Sequence, residues 1–214
     1  MKQRLPITDP LTHAGRKTGK DWTVVQACTA WEAYGAFETT GAFDALDGGY
    51  KRHCGPTAIT NLLLSLENRA PVTAGKRMAA SRVFRRVARY GAKKHYYVNT
   101  SLFGIWGGTF NLATKAYIRQ ALAMYRRGRE AVSGPRPALR PFLKRALDGG
   151  NLLYLELVLH PVYGNHHLLV YGYRLLKSAD GHTRLYLLAA DGWNGEPRYL
   201  FERDLLLSRF YAVL

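Results

Sequence analysis

Three side chains in this sequence have the types and settings to do chemistry together: a cysteine, a histidine and an aspartate. Cys54 opens the stretch "CGPTAITNLLLSLEN", where a helical pattern begins. A thiol at a helix N-terminus meets unpaired N–H groups and the positive end of the helix dipole. Both favour thiolate, so this position is expected to lower the pKa of Cys54 and make it a nucleophile. Cys28, inside the apolar segment "WTVVQACTAWEAYGAF", is expected to be a buried structural thiol. A nucleophilic thiol needs a base, and the base needs an orienting group. Among His13, His53, His95, His160, His166, His167 and His182, the pair in "GNHHLLVYGY" stands out because it opens an apolar strand. Side chains alternate across a strand, so only one of His166 and His167 can face a given partner. Asp191 closes the strand "LYLLAA" and precedes Gly192 and Trp193. An acid there suits the orienting of an imidazole beside an indole that excludes water. Each residue also has a plainer reading, since free cysteines are mostly small buried apolar groups and Asp before Gly is a turn former.

The elements that must position these residues follow from periodicity. Residues 1–20 read as a basic, turn-rich lead-in with flexible character, and 22–37 as either a strand or a short helix. "DALDGGY" is a loop. Pro56 suits the first position of a helix, on which Ile59, Leu62, Leu63 and Leu66 form a buried stripe. A second helix is expected over 76–91, with Val83, Phe84, Val87 and Tyr90 inward and Arg82, Arg85, Arg86 and Arg89 on the other side. A third begins near Thr109, the loop "SGPRP" follows, and a short helix "ALRPFLKRALDGG" ends on glycines. "NLLYLELVL", "HHLLVYGYRLL", "TRLYLLAADGW", "PRYLF" and "SRFYAVL" read as strands. Helices in the first two thirds and strands in the last third predict an α+β fold, with helices on one side of an antiparallel sheet.

The bulk properties narrow the class. The 214 residues suit one domain with a sizeable core, and no repeat or low-complexity tract is visible. With 31 Lys and Arg against 15 Asp and Glu, the net charge is +16, which favours acidic partners. Two cysteines make no disulfide framework and point to a reducing compartment. There is no signal-peptide pattern and no apolar run of membrane-spanning length, so a cytoplasmic location is expected.

Taken together, the order Cys, His, Asp with a helix first and strands after resembles the papain-like cysteine peptidase superfamily. The likeness is nearest to its bacterial members, the peptidases of double-glycine leader peptides and their relatives. Cys54-Gly55-Pro56 is similar to the start of their nucleophile helix, and Asn165-His166 with Gly172-Tyr173 to their "NH…GY" strand frame. That frame selects His166 over His167. Asp191-Gly192-Trp193 resembles the site of the group that orients the histidine. The resemblance spans roughly residues 48–195. It implies a papain-like fold with a helical lobe over about 50–148 and a β lobe over about 150–214. It further implies a Cys54–His166–Asp191 triad acting on peptide or amide bonds, by hydrolysis or acyl transfer, with no cofactor or metal. The chain departs from the superfamily at the glutamine six residues before the nucleophile, where Gly48 stands. The Cys54 N–H remains one oxyanion donor. A second is left open among the backbone of "GGYKRH", Tyr50 and Gln26.

Two other classes compete. One is a binding module on a peptidase-like scaffold, favoured by the missing glutamine. The other is a protein of anionic partners acting through Arg82, Arg85, Arg86 and Arg89, although such a stripe is often only a solvated face and no nucleic-acid motif accompanies it. A zinc site of Cys54, His166 and His167 is not expected, because adjacent strand positions point apart.

Overall fold

The computed structural model describes residues 5–29, 40–44, 46, 51–69, 80–98, 108–109, 111–125 and 131–214. Order begins earlier than the sequence suggests. Helix α1 (Pro10–Thr18) is capped by Asp9, whose carboxylate accepts from the N–H groups of Leu11 at 3.1 Å and Thr12 at 3.0 Å. Asp9 at the cap and Pro10 in the first turn specify the start, and Gly19 at φ 65° ends the helix in a left-handed cap. Buried Ala14 packs with Tyr186 and Phe201, and His13 Nδ1 meets the Tyr186 hydroxyl at 2.9 Å. The lead-in is therefore a docked helix from residue 10, contrary to its reading as a flexible segment.

Strand β1 (Trp22–Thr29) resolves the strand-or-helix choice over its own length, and residues 30–37 of that segment lie outside the described ones. Short α2 (Thr40–Asp44) places Phe43 flat on Phe84 at a centroid distance of 4.0 Å. Helix α3 (Cys54–Arg69) starts on the cysteine itself, with the His53 carbonyl accepting from the Thr57 N–H at 2.9 Å. Pro56 thus stands third rather than first, still within the turn whose N–H groups have no helical acceptor. Helix α4 (Ala80–Lys93) buries Val83, Phe84, Val87 and Ala88, while positions 76–79 fall outside the described residues. Strands β2 (Tyr97–Val98) and β3 (Gly108–Thr109) form a two-stranded ribbon. Helix α5 (Thr114–Met124) begins five residues later than the sequence suggests, because Thr109 belongs to β3.

Strand β4 (Val132–Pro137) occupies the stretch read as a loop, then α6 (Arg140–Asp148), β5 (Leu152–His160), β6 (Gly164–Ser178), β7 (Thr183–Ala190), β8 (Arg198–Phe201) and β9 (Arg209–Val213) follow. All pairings in the large sheet are antiparallel, in the order β4-β9-β5-β6-β7-β8, with β1 also on β6. Edge position explains β4: Pro135 and Pro137 cost a ladder little where one side of the strand has no partner. Strands from both halves of the chain build this one sheet, so the division into a helical part and a β part is only approximate.

Strand β6 is buried over nearly its whole length, which is why it reads as an apolar run rather than an alternation. On one face Leu169 and Tyr171 join Ile59, Leu62 and Leu63 of α3, and on the other Leu168 and Val170 join Leu143 and Leu147 of α6. The fold is α+β, with helices on both faces of a large antiparallel sheet. No helix among the described residues is long and apolar enough to cross a membrane.

Candidate active site

Local sequence fixes where α3 begins. Arg52 takes φ 48°, and His53 turns inward, edge-on to Phe84 at 5.0 Å with its Nδ1 3.1 Å from the Thr57 hydroxyl. Tyr97 ties down the preceding loop by donating its hydroxyl to the Lys51 carbonyl at 2.5 Å. Gly55 has to be glycine: a Cβ there would run into the Thr109 hydroxyl and stand 2.7 Å from Thr109 Cβ. That close approach seats the first turn of α3 on β3 and on Tyr154, whose hydroxyl lies 3.1 Å from the same point.

The first turn of α3 meets the sheet where β6 begins and β7 ends. A Cβ on Gly192 would lie 3.6 Å from Thr57 Cγ2, so the Asp191-Gly192 turn abuts the first turn of α3. His166 Nε2 stands 2.6 Å from the Asp191 backbone carbonyl. A carbonyl only accepts, so Nε2 carries the proton and Nδ1 is left with a lone pair. The His166 ring is clamped between Tyr163, stacked at 5.6 Å with 14° between planes, and Trp193 at 5.2 Å.

The Asp191 carboxylate does other work than the sequence suggests. It accepts from the Trp193 and Asn194 N–H groups, both at 2.9 Å, and from Asn194 Nδ2 and the Tyr163 hydroxyl, both at 3.0 Å. The residue therefore orients His166 through its main chain, while its side chain holds the turn and the two aromatic rings that flank the imidazole. Turn former and orienting group are the same residue. Burial first, then the Asp191 charge and hydrogen bond, keep the Tyr163 phenol protonated and a donor.

Cys54 is partly accessible. Among the described residues, backbone N–H groups of His167, Gly55 and Cys54 itself act on its sulfur. These amides favour thiolate, as a helix start should, yet burial outweighs them and pushes the thiol up from 9.0. The expected depression of its pKa is thus reversed. Burial also lowers both histidines. His166 is pulled down against the opposing effect of Asp191, and His167 falls to about 3 with added repulsion from His166. At neutral pH the thiol and both imidazoles are uncharged. Alkylation of Cys54 by iodoacetamide should accordingly be slow in mildly acidic buffer and rise with a midpoint above 9.0. A midpoint below that value, read from rates across a pH series, would show that the amides win over burial.

His167 lies on the α3 side of β6, so by alternation His166 leaves the opposite face. The His167 ring is 5.6 Å from that of Tyr154, and its Nδ1 is buried without a hydrogen-bond partner among the described residues. Of the oxyanion donors considered, Gly48 and Tyr50 lie outside the described residues. Gln26 pairs with Leu175, eight residues along β6 from His167, or roughly 25 Å at the rise of a strand, and is excluded. Cys28 donates weakly to the Leu147 carbonyl at 3.5 Å, and burial followed by the Asp148 charge raises its thiol as well. Tyr163 was not legible as a site residue, although its place three residues before His166 in "YGNH" is the signal. Among the described residues no cluster of His, Cys, Asp and Glu could hold a metal ion. Comparison of the chain with protein-family models, curated proteins and solved structures finds no match.

Proposed function

We propose that the protein is a cysteine-dependent amide hydrolase of papain-like type, with Cys54 as nucleophile and His166 as base. The reading rests on a neutral imidazole held in the Nε2–H tautomer between two aromatic rings, on the strand whose His167 N–H reaches the Cys54 sulfur. Because alternation puts the His166 ring on the other face of that strand, the choice of His166 as base is what the histidine variants test. A general base needs one ring nitrogen free to accept, and this tautomer leaves Nδ1 for that role.

In this mechanism Sγ bonds to the substrate carbonyl carbon as its proton passes to His166 Nδ1. The Cys54 N–H donates to the developing oxyanion. Collapse breaks the C–N bond, and the leaving nitrogen takes the proton from Nδ1. Water then adds to the thioester, yielding its proton to Nδ1, and the C–S bond breaks to release the acid and restore the thiol. The imidazolium formed in each step is stabilised by the Asp191 carbonyl. An amine in place of water would make the same site an acyltransferase.

The test is digestion of a broad peptide library by wild type, Cys54→Ala and Asp191→Asn, followed by mass spectrometry. Wild type should cleave and Cys54→Ala should not. Because the main-chain carbonyl survives the substitution, Asp191→Asn should keep cleavage within about tenfold, far from the roughly 10,000-fold loss seen where a carboxylate itself holds the tautomer. Cleavage by Cys54→Ala sinks the mechanism. Peptides bound equally by wild type and Cys54→Ala, with no cleavage by either, would identify a binding module.

A further inference from the structure

Helix α4 carries Arg82, Arg85, Arg86 and Arg89, which at 100° per residue fall within an arc of about 100° on its outer face. Among the described residues these four and Ser81 line a cavity of about 530 Å³. Arg82, Arg86 and Arg89 are exposed, and the Arg86 guanidinium rests over the Tyr125 ring at 5.2 Å. Like charges one turn apart destabilise a helix, so this concentration runs against helix stability. The opposite face meanwhile holds Val83, Phe84, Val87 and Ala88 in the core. The helix is therefore fixed in rotation, and the four side chains leave it on one face.

We propose that this cavity binds a small ligand bearing two or more phosphate groups. Guanidinium presents planar paired donors that match phosphate oxygens two at a time, which a lysine ammonium does not. From Arg82 to Arg89 the helix rises about 10 Å, so several anionic groups of one molecule can be met at once. A volume of about 530 Å³ lies within the roughly 300–1,000 Å³ of small-molecule sites. Arg86, braced on Tyr125, is held ready before the ligand arrives, and Ser81 adds a hydroxyl at the N-terminal end of the row. The site does not depend on Cys54 chemistry.

Equilibrium titration with inorganic phosphate, tripolyphosphate and a single-stranded oligonucleotide, at low and at physiological salt, tests this. Tripolyphosphate should bind saturably, more tightly than phosphate, with an affinity that falls as salt rises. The triple variant Arg82→Gln, Arg86→Gln, Arg89→Gln should lose about 100-fold or more, since each charge-assisted contact is worth about tenfold. The triple Arg→Lys variant should fall between, keeping charge but losing paired donation. A control of equal charge change elsewhere, Arg174→Gln, Lys177→Gln, Arg203→Gln, should lose little. Equal loss in both Gln triples would reduce the effect to net charge and overturn the site. So would the absence of saturable tripolyphosphate binding, or oligonucleotide binding that grows with length and is not displaced by tripolyphosphate.

Discussion

Replacing His166 by alanine should lower turnover of any peptide found by library digestion by roughly 100- to 10,000-fold, the range for removing a general base. Nε2 of His166 is tied to the Asp191 carbonyl at 2.6 Å, and Tyr163 and Trp193 hold the ring plane, leaving Nδ1 as the nitrogen that could accept a proton. Because the thiol is pushed up, no standing thiolate rescues the reaction once the base is gone. Added imidazole should restore part of the rate, which a variant that merely misfolds would not show. His167→Ala should instead act on stability, since that ring packs by Tyr154 on the α3 side of the strand. Steady-state kinetics on both variants settle the choice. Near-normal turnover in His166→Ala, or a larger rate loss in His167→Ala, would move the base to the neighbouring residue.

The second large effect is acid sensitivity of the fold. His167 titrates at about 3 in the native state against 6.5 for the free side chain, with burial as the main cause. A histidine whose folded pKa is lowered takes up its proton more readily in the unfolded chain. Its contribution is therefore intact above pH 6.5, is lost as pH falls below that value, and levels off only near pH 3. Between pH 7 and pH 4 this single group should cost about 3 kcal/mol of unfolding free energy. Burial lowers His166 too, so its loss runs in the same direction. Urea denaturation across that window should show the decline in wild type and a clearly shallower one in His167→Leu, which has nothing to protonate there. An identical slope in the variant would place the acid sensitivity elsewhere.

Sequence alone carried much of the architecture, because the signals were local. The apolar stripe of Ile59, Leu62, Leu63 and Leu66 and the runs of β5, β6 and β7 depend on periodicity within one element. The misses have tertiary causes. Proline-rich β4 is held as an edge strand by β9, a partner from the far end of the chain. The lead-in helix α1 is anchored by Tyr186 and Phe201, some 170 residues on. At the site, sequence could set Asp191 near a histidine but could not tell main chain from side chain. Only folded geometry shows the carbonyl on His166 and the carboxylate on Tyr163, Trp193 and Asn194. Likewise the thiol pKa was a contest between amides and desolvation, and desolvation depends on what packs around Cys54.

Strand β9 follows the other described strands in sequence, yet it lies between β4 and β5 rather than at a margin of the sheet. Leu152, Leu153, Tyr154, Leu155 and Glu156 all pair with it, and Tyr154 is the residue on which the first turn of α3 sits. A nascent chain that has not yet delivered residues 209–213 leaves a slot beside β5 and nothing to hold β4. Thiol and imidazole are then both already made but have no finished floor beneath them. Long-range closure of this kind is slow and comes late. The strand order thus couples the seat of the first turn of α3 to the insertion of residues 209–213.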